Sequence, residues 1–200
     1  MLKSTFNTEY ISIKIGIIFS KSGISPNAWT LLALIPAFLG FLSLYYHNLI
    51  YGLIFFMISG FIDAVDGAVA RVTGSETNKG AYFDGIIDRY VEILLYTGLL
   101  IYGLDEFLLP SSIWISALIF GTVMTSYSRA YADHKGIVTE PDELRKMGGI
   151  LERFERLMLI FIGMAAGYFV LIYLTYAVVI TAVLANITVL QRIMFVACKK

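Results

Sequence analysis

The sequence predicts an all-α integral membrane protein: six transmembrane helices preceded by an N-terminal interfacial amphipathic helix. Three observations predict it. Of the 200 residues, 58% are hydrophobic and only 15% are charged, and the mean hydropathy is +0.76, a composition unusual for a soluble domain of this size. The apolar residues gather into six stretches, each able to cross roughly 30 Å of hydrocarbon at about 1.5 Å per residue. The basic residues also segregate, because all 15 fall in segments that a six-span layout assigns to one side. A single domain over residues 1–200 follows, with 1–22 as the interfacial helix and 23–200 as a six-helix bundle. The net charge of zero leaves no general basic field for nucleic acid. The single Cys198 excludes an internal disulfide. Ile15–Phe19 is too short an apolar core for a signal peptide.

Taken in order, residues 1–22 are amphipathic. Ile11, Ile15 and Ile18 share a helical face, with Lys14 and Lys21 elsewhere, as suits a helix lying among lipid headgroups. Ser25-Pro26-Asn27 reads as a helix start, with Ser25 as the cap and Pro26 in the first turn. The spans are predicted at Trp29–Tyr46, Leu49–Val72, Gly80–Tyr102, Ser112–Asp133, Arg153–Leu171 and Tyr173–Val196, the last two meeting at a turn near Tyr168–Leu174. The loops around His47-Asn48 and Asp105-Glu106 carry no Lys or Arg. The positive-inside rule therefore predicts a multi-pass cell-membrane protein with both termini cytoplasmic.

The chemistry concentrates between Asp63 and Asp88. Asp63 and Asp66 are one helical step apart near the end of the second span, and Asp84 and Asp88 near the start of the third. Each pair shares a helix face. The short connection around Gly74 makes the two helices antiparallel neighbours. Counted from the helix ends, Asp66 and Asp84 sit roughly 7 to 10 Å deep, and Asp63 and Asp88 about 14 Å. Four carboxylates can thus converge. Near a bilayer they need a compensating cation, for which hard divalent ions with oxygen ligands are suited. Two such ions would suit displacement at phosphorus. Gly67 and Ala70 clear a helix face for a ligand, Arg71 offers a permanent cation, and Thr77 and Gly80 shape the adjoining loop. A structural ion-pair network, with Asp63 or Asp88 paired to Arg71 or Arg89, would account for one or two of these residues but not for the spaced set.

The whole segment reads D-x-x-D-G-x-x-A-R-x8-G-x3-D-x3-D and resembles the CDP-alcohol phosphotransferases at every fixed position. The six-span layout is similar too. The resemblance implies transfer of a phosphatidyl-type group from a CDP-linked lipid, CDP-diacylglycerol or CDP-archaeol, to an alcohol with release of CMP. It implies that Asp63, Asp66, Asp84 and Asp88 line a site for two Mg²⁺ ions, Mn²⁺ being an alternative, and that Asp88 accepts the proton of the attacking hydroxyl. It implies that Gly67, Arg71 and Thr77, with Ser25, Pro26, Asn27 and Ala28, contact the CDP moiety. It also implies a homodimer.

The acceptor is read elsewhere. Ser126–Arg129 and Gly148–Leu157 resemble the branch that makes phosphatidylinositol phosphate and its archaeal ether-lipid counterpart. There Arg129, Arg156 and Arg192 match positions that bind the phosphate of inositol phosphate. Two positions depart from that pattern. Tyr131 stands where a second basic residue is found, and Phe154 where proline is found. Three arginines suit a phosphorylated acceptor, so glycerol 3-phosphate or another small alcohol is the alternative within the family. A divalent-cation transporter would also explain buried carboxylates, but it leaves Gly67, Arg71 and Gly80 without a role, and Arg71 would repel the ion. Arg153 reads as a helix anchor. Lys135, Arg145 and Lys146, set among Asp133, Glu140, Asp142 and Glu143, read as a solvated loop.

Overall fold

The computed structural model describes residues 8–199. The first seven residues of the predicted interfacial segment lie outside the described residues. In chain order the helices are α1 (Thr8–Ser20), α2 (Pro26–Leu32), α3 (Leu34–Tyr45), α4 (Leu49–Thr73), α5 (Asn78–Tyr102), α6 (Ser111–His134), α7 (Pro141–Lys146), α8 (Arg153–Gly167) and α9 (Ile172–Ala197). No strand forms among the described residues beyond an isolated bridge between Phe107 and Leu109. Among the described residues, three stretches are long and apolar enough to cross a membrane: Pro26–Tyr45, Leu49–Thr73 and Ile172–Ala197. The chain divides into two compact units, Met1–Gly98 and Leu99–Lys200, with the boundary inside α5.

In the first unit, the predicted first span is broken in two at Ala33. The cause is Pro36, which has no N–H for the Leu32 carbonyl and whose ring crowds that carbonyl. Ser59 of α4, fully buried, donates to the Ala33 carbonyl at 2.8 Å and braces the break. α3 returns into α4 through a turn in which His47 takes a positive φ of 56°. The Asn48 side chain caps α4 by accepting from the Tyr51 amide at 3.3 Å. Leu44, wholly buried, is a knob in a glycine socket: a methyl group at Gly52 would lie 2.8 Å from it, and one at Gly98 2.7 Å. Small residues of this kind let helices of α3, α4 and α5 approach closely.

α4 ends at Gly74, whose left-handed conformation (φ 63°) suits a residue without a side chain. The Ser75 amide closes back on the Ala70 carbonyl at 3.0 Å, the six-to-one bond of a Schellman cap. Three residues later the Thr77 hydroxyl accepts from the Gly80 amide at 3.0 Å and caps α5. Two caps thus reverse the chain between the aspartate-bearing helices.

In the second unit, α9 packs against both α6 and α8. Gly121 of α6 sits against Ala185 and Asn186, and the Asn186 amide donates to the Ala117 carbonyl at 3.0 Å. α8 stops at Gly167, four residues before the predicted end of its span, and Tyr168–Leu171 form the turn into α9. The segment after α6 is not simply a solvated loop. It contains α7, and its Val138 and Met147 form a small core with Ala132 of α6.

Candidate active site

Thr30, Asp63, Asp66 and Asp84 define the centre of the first unit. Carboxylate oxygens of Asp63, Asp66 and Asp84 all lie within 4.8 Å of one another. α4 supplies the first two from adjacent turns and α5 the third, as the antiparallel reading required. Asp66 is the most buried of the three, at 6% exposure. Thr30 of α2, itself buried, donates its hydroxyl to Asp66 Oδ2 at 2.5 Å. That hydroxyl also lies 3.1 Å from the Pro26 carbonyl, but the carboxylate is the stronger acceptor. One oxygen of Asp66 is thereby held and the carboxylate orientation fixed. Three acidic oxygen donors so close repel one another unless a cation lies among them, and the set suits a hard divalent ion.

A cavity of about 570 Å³ adjoins the carboxylates. Pro26, Asn27, Gly67 and Thr77, all expected at the nucleotide, line it together with Asp66 and Asp84. This is the size range of small-molecule sites. The first turn of α5 opens onto the cavity through Asn78, Gly80 and Ala81, and a helix N-terminus favours phosphate. A side chain at Gly80 would come within 3.2 Å of the Thr77 hydroxyl and 3.3 Å of Asn27, so glycine keeps that corner open.

Five of the expected residues, Ser25, Ala28, Asp63, Arg71 and Asp88, stand outside the lining. Ser25 caps α2, accepting from the Ala28 amide at 3.3 Å, which engages both residues in the helix start. The Arg71 guanidinium reaches α1, donating to Ser12 Oγ at 2.6 Å. Asp88, at 8% exposure, lies one turn beyond Asp84 and is not one of the three converging carboxylates. Its Oδ2 is 3.6 Å from Arg89, whose other nitrogen is 2.8 Å from Glu92. Glu92 is only 1% exposed, and with Thr30 it is a polar residue of this unit that the motif reading passed over. A lone carboxylate in the run Tyr90–Tyr96 was its available signal.

The second unit holds the arginines. Arg156 is 1% exposed and Arg192 5%. Arg192 donates to the Thr125 carbonyl, and the charges of Arg129, Arg156 and Glu152 all act on it. Arg129 donates to the Met147 carbonyl at 3.2 Å and lies 3.7 Å from Glu152. Arg129 and Arg156 are thus both within electrostatic reach of Arg192. Tyr131 is stacked on Tyr127 at 5.2 Å, with the Lys135 ammonium 5.3 Å from its ring centre. Phe154 is more than half exposed.

Known proteins match along nearly the whole chain. The family described as CDP-alcohol phosphatidyltransferase matches residues 23–197. Archaetidylinositol phosphate synthase of Pyrococcus horikoshii is 33% identical over 180 residues, covering 90% of this chain and 87% of that one. Phosphatidylinositol phosphate synthase of Mycolicibacterium smegmatis is 32% identical over 86% of this chain and 78% of its own. The solved Mycobacterium tuberculosis phosphatidylinositol phosphate synthase superposes with a TM-score of 0.78 at 26% identity. In complex with manganese and citrate, it is matched over 94% of this chain and 89% of its own. With CDP-DAG bound, the coverage is 94% of both.

Proposed function

The chain belongs to the CDP-alcohol phosphatidyltransferase family, and from that premise we propose that it makes an inositol-phosphate lipid. A phosphatidyl or archaetidyl group passes from a CDP-linked lipid to the hydroxyl of inositol 1-phosphate, and CMP leaves. The observation that carries this reading is the convergence of Asp63, Asp66 and Asp84 beside a cavity that a nucleotide diphosphate would fit.

In the reaction, a bond forms between the acceptor oxygen and the lipid-bearing phosphorus. The phosphoanhydride bond to CMP breaks. Asp88 takes the proton of the hydroxyl. Asp63, Asp66, Asp84 and Asp88 would hold Mg²⁺, as two ions, with Mn²⁺ as the alternative. When bound, the metal neutralises the diphosphate and the charge developing on the leaving CMP. Thr30 keeps Asp66 in place. Pro26, Asn27, Gly67 and Thr77 border the nucleotide, Ser25 and Ala28 shape the turn that presents them, and Arg71 balances the phosphate charge. Arg129, Arg156 and Arg192 bind the phosphate of the acceptor. The charges of Arg129 and Arg156 both act on the buried Arg192, and a cluster of arginines suits a phosphate.

The same reading treats residues 1–200 as one membrane domain with six spans, cytoplasmic termini and a homodimeric assembly. α5 and α6 have the length to cross, at 25 and 24 residues. α8, at 15 residues, spans about 22 Å and needs its flanking turn to reach further.

The test is CMP release by purified protein in detergent with CDP-diacylglycerol or CDP-archaeol, Mg²⁺ and inositol 1-phosphate. Chelating the metal should abolish release and re-adding it should restore release. Asp88→Asn should lower kcat by about 10²- to 10⁴-fold, the range for a lost general base, with CDP-lipid binding retained. Glycerol 3-phosphate competes in the same assay, and preference for it would reassign the acceptor. No release with any phosphorylated alcohol would end the proposal.

A further inference from the structure

The sequence gives α1 a membrane-surface role, but its buried face meets α4. Ser12 and Gly16 lie one turn apart on that face. Gly16 is buried, and a methyl group there would fall 2.6 Å from Val72 Cγ2 and 2.9 Å from the Ala68 carbonyl carbon. Only a glycine allows the two helices so near. The approach carries Ser12 to the end of α4, where Arg71 Nη2 donates to Ser12 Oγ at 2.6 Å. The same guanidinium lies over Gly67, with Nη1 3.6 Å and Nη2 3.8 Å from where a Cβ would stand. Gly67 lines the cavity beside the carboxylates.

Arg71 is therefore held between a hydroxyl of α1 and a cavity-lining glycine of α4. An arginine side chain free in solvent samples many rotamers and loses that freedom when it meets a phosphate. Fixing it beforehand lowers the cost of binding. We propose that Ser12 is a positioning residue of the donor site: it presets the Arg71 guanidinium for the CDP moiety, making α1 a working wall of that site. This rests on the reading that Arg71 contacts the CDP-lipid. The hydroxyl does not touch the reacting atoms, so its contribution should fall on donor affinity and spare the chemical step.

The experiment measures CMP release by the full-length protein in detergent against CDP-lipid concentration, with metal and inositol 1-phosphate saturating. Because binding must then order the Arg71 side chain itself, Ser12→Ala should raise KM for the CDP-lipid about three- to tenfold while kcat stays within about twofold. Ser12→Thr keeps the hydroxyl and should restore the parent KM. Gly16→Val, which pushes α1 from α4, should raise KM as Ser12→Ala does. In an Arg71→Ala background, Ser12→Ala should change nothing further, because the two act as one unit. An equal KM rise in both backgrounds would overturn the proposal. So would an unchanged KM in Ser12→Ala when Arg71→Ala raises it. If Arg71→Ala itself leaves KM unmoved, the assignment of Arg71 to the donor is what fails.

Discussion

Asp66 shows what single residues contribute and how far they can be read in advance. The helical period puts Asp63 and Asp66 on one face, and a short reversal brings Asp84 opposite, so spacing alone sufficed to bring these three together. Thr30 had no such signature. It lies 36 residues from Asp66, and nothing local distinguishes its hydroxyl from those of other threonines in apolar helices. Its contact nonetheless has a measurable consequence. Removing a group that orients a metal ligand costs about 10- to 100-fold in metal affinity. Thr30→Val should raise the Mg²⁺ concentration for half-maximal CMP release by about tenfold and leave the rate at saturating metal near that of the parent. A metal titration of the two proteins checks this. Asp88 was legible as part of the motif, but its neighbours were not: the contact of Arg89 with both Asp88 and Glu92 depends on side-chain geometry that spacing does not encode.

At the scale of helices, hydropathy located the long apolar elements and missed their interruptions. The apolar pattern runs unbroken through Ala33 because a missing hydrogen bond leaves no mark on hydrophobicity. Pro36 was the visible sign of it. The break matters for the site, since α2 carries Pro26, Asn27 and Thr30 on its own axis. α7 was hidden for the opposite reason, its charged residues masking the buried Val138 and Met147 beside it. Two element-level predictions follow from glycine geometry. Gly74→Ala forces a side chain into the left-handed region at the α4 cap and should cost about 1 kcal/mol in stability. Gly98→Val drives a branched side chain into Leu44 and should cost about 1–3 kcal/mol. Both are read as lowered midpoints of thermal unfolding in detergent, with Gly98→Val the larger.

For the whole molecule, the distribution of basic residues predicts which face is which. After Cys198→Ser removes the exposed native thiol, His47→Cys and Glu106→Cys should react with a membrane-impermeant thiol reagent on intact cells. Ser75→Cys should react only after permeabilisation. Reaction at Ser75→Cys from outside would invert the proposed topology. The division of the chain at Gly98 has a different consequence. Every converging carboxylate and every residue lining the cavity falls before that point, and the three arginines proposed for the acceptor fall after it. Activation of the lipid and choice of its new headgroup are thus, on the proposed reading, inherited on separate stretches of sequence. A hybrid that keeps residues 1–98 and takes its second half from a relative with another acceptor should still consume the same CDP-lipid yet build a different headgroup. Recombination within this family could then diversify membrane lipids without having to rediscover the metal chemistry.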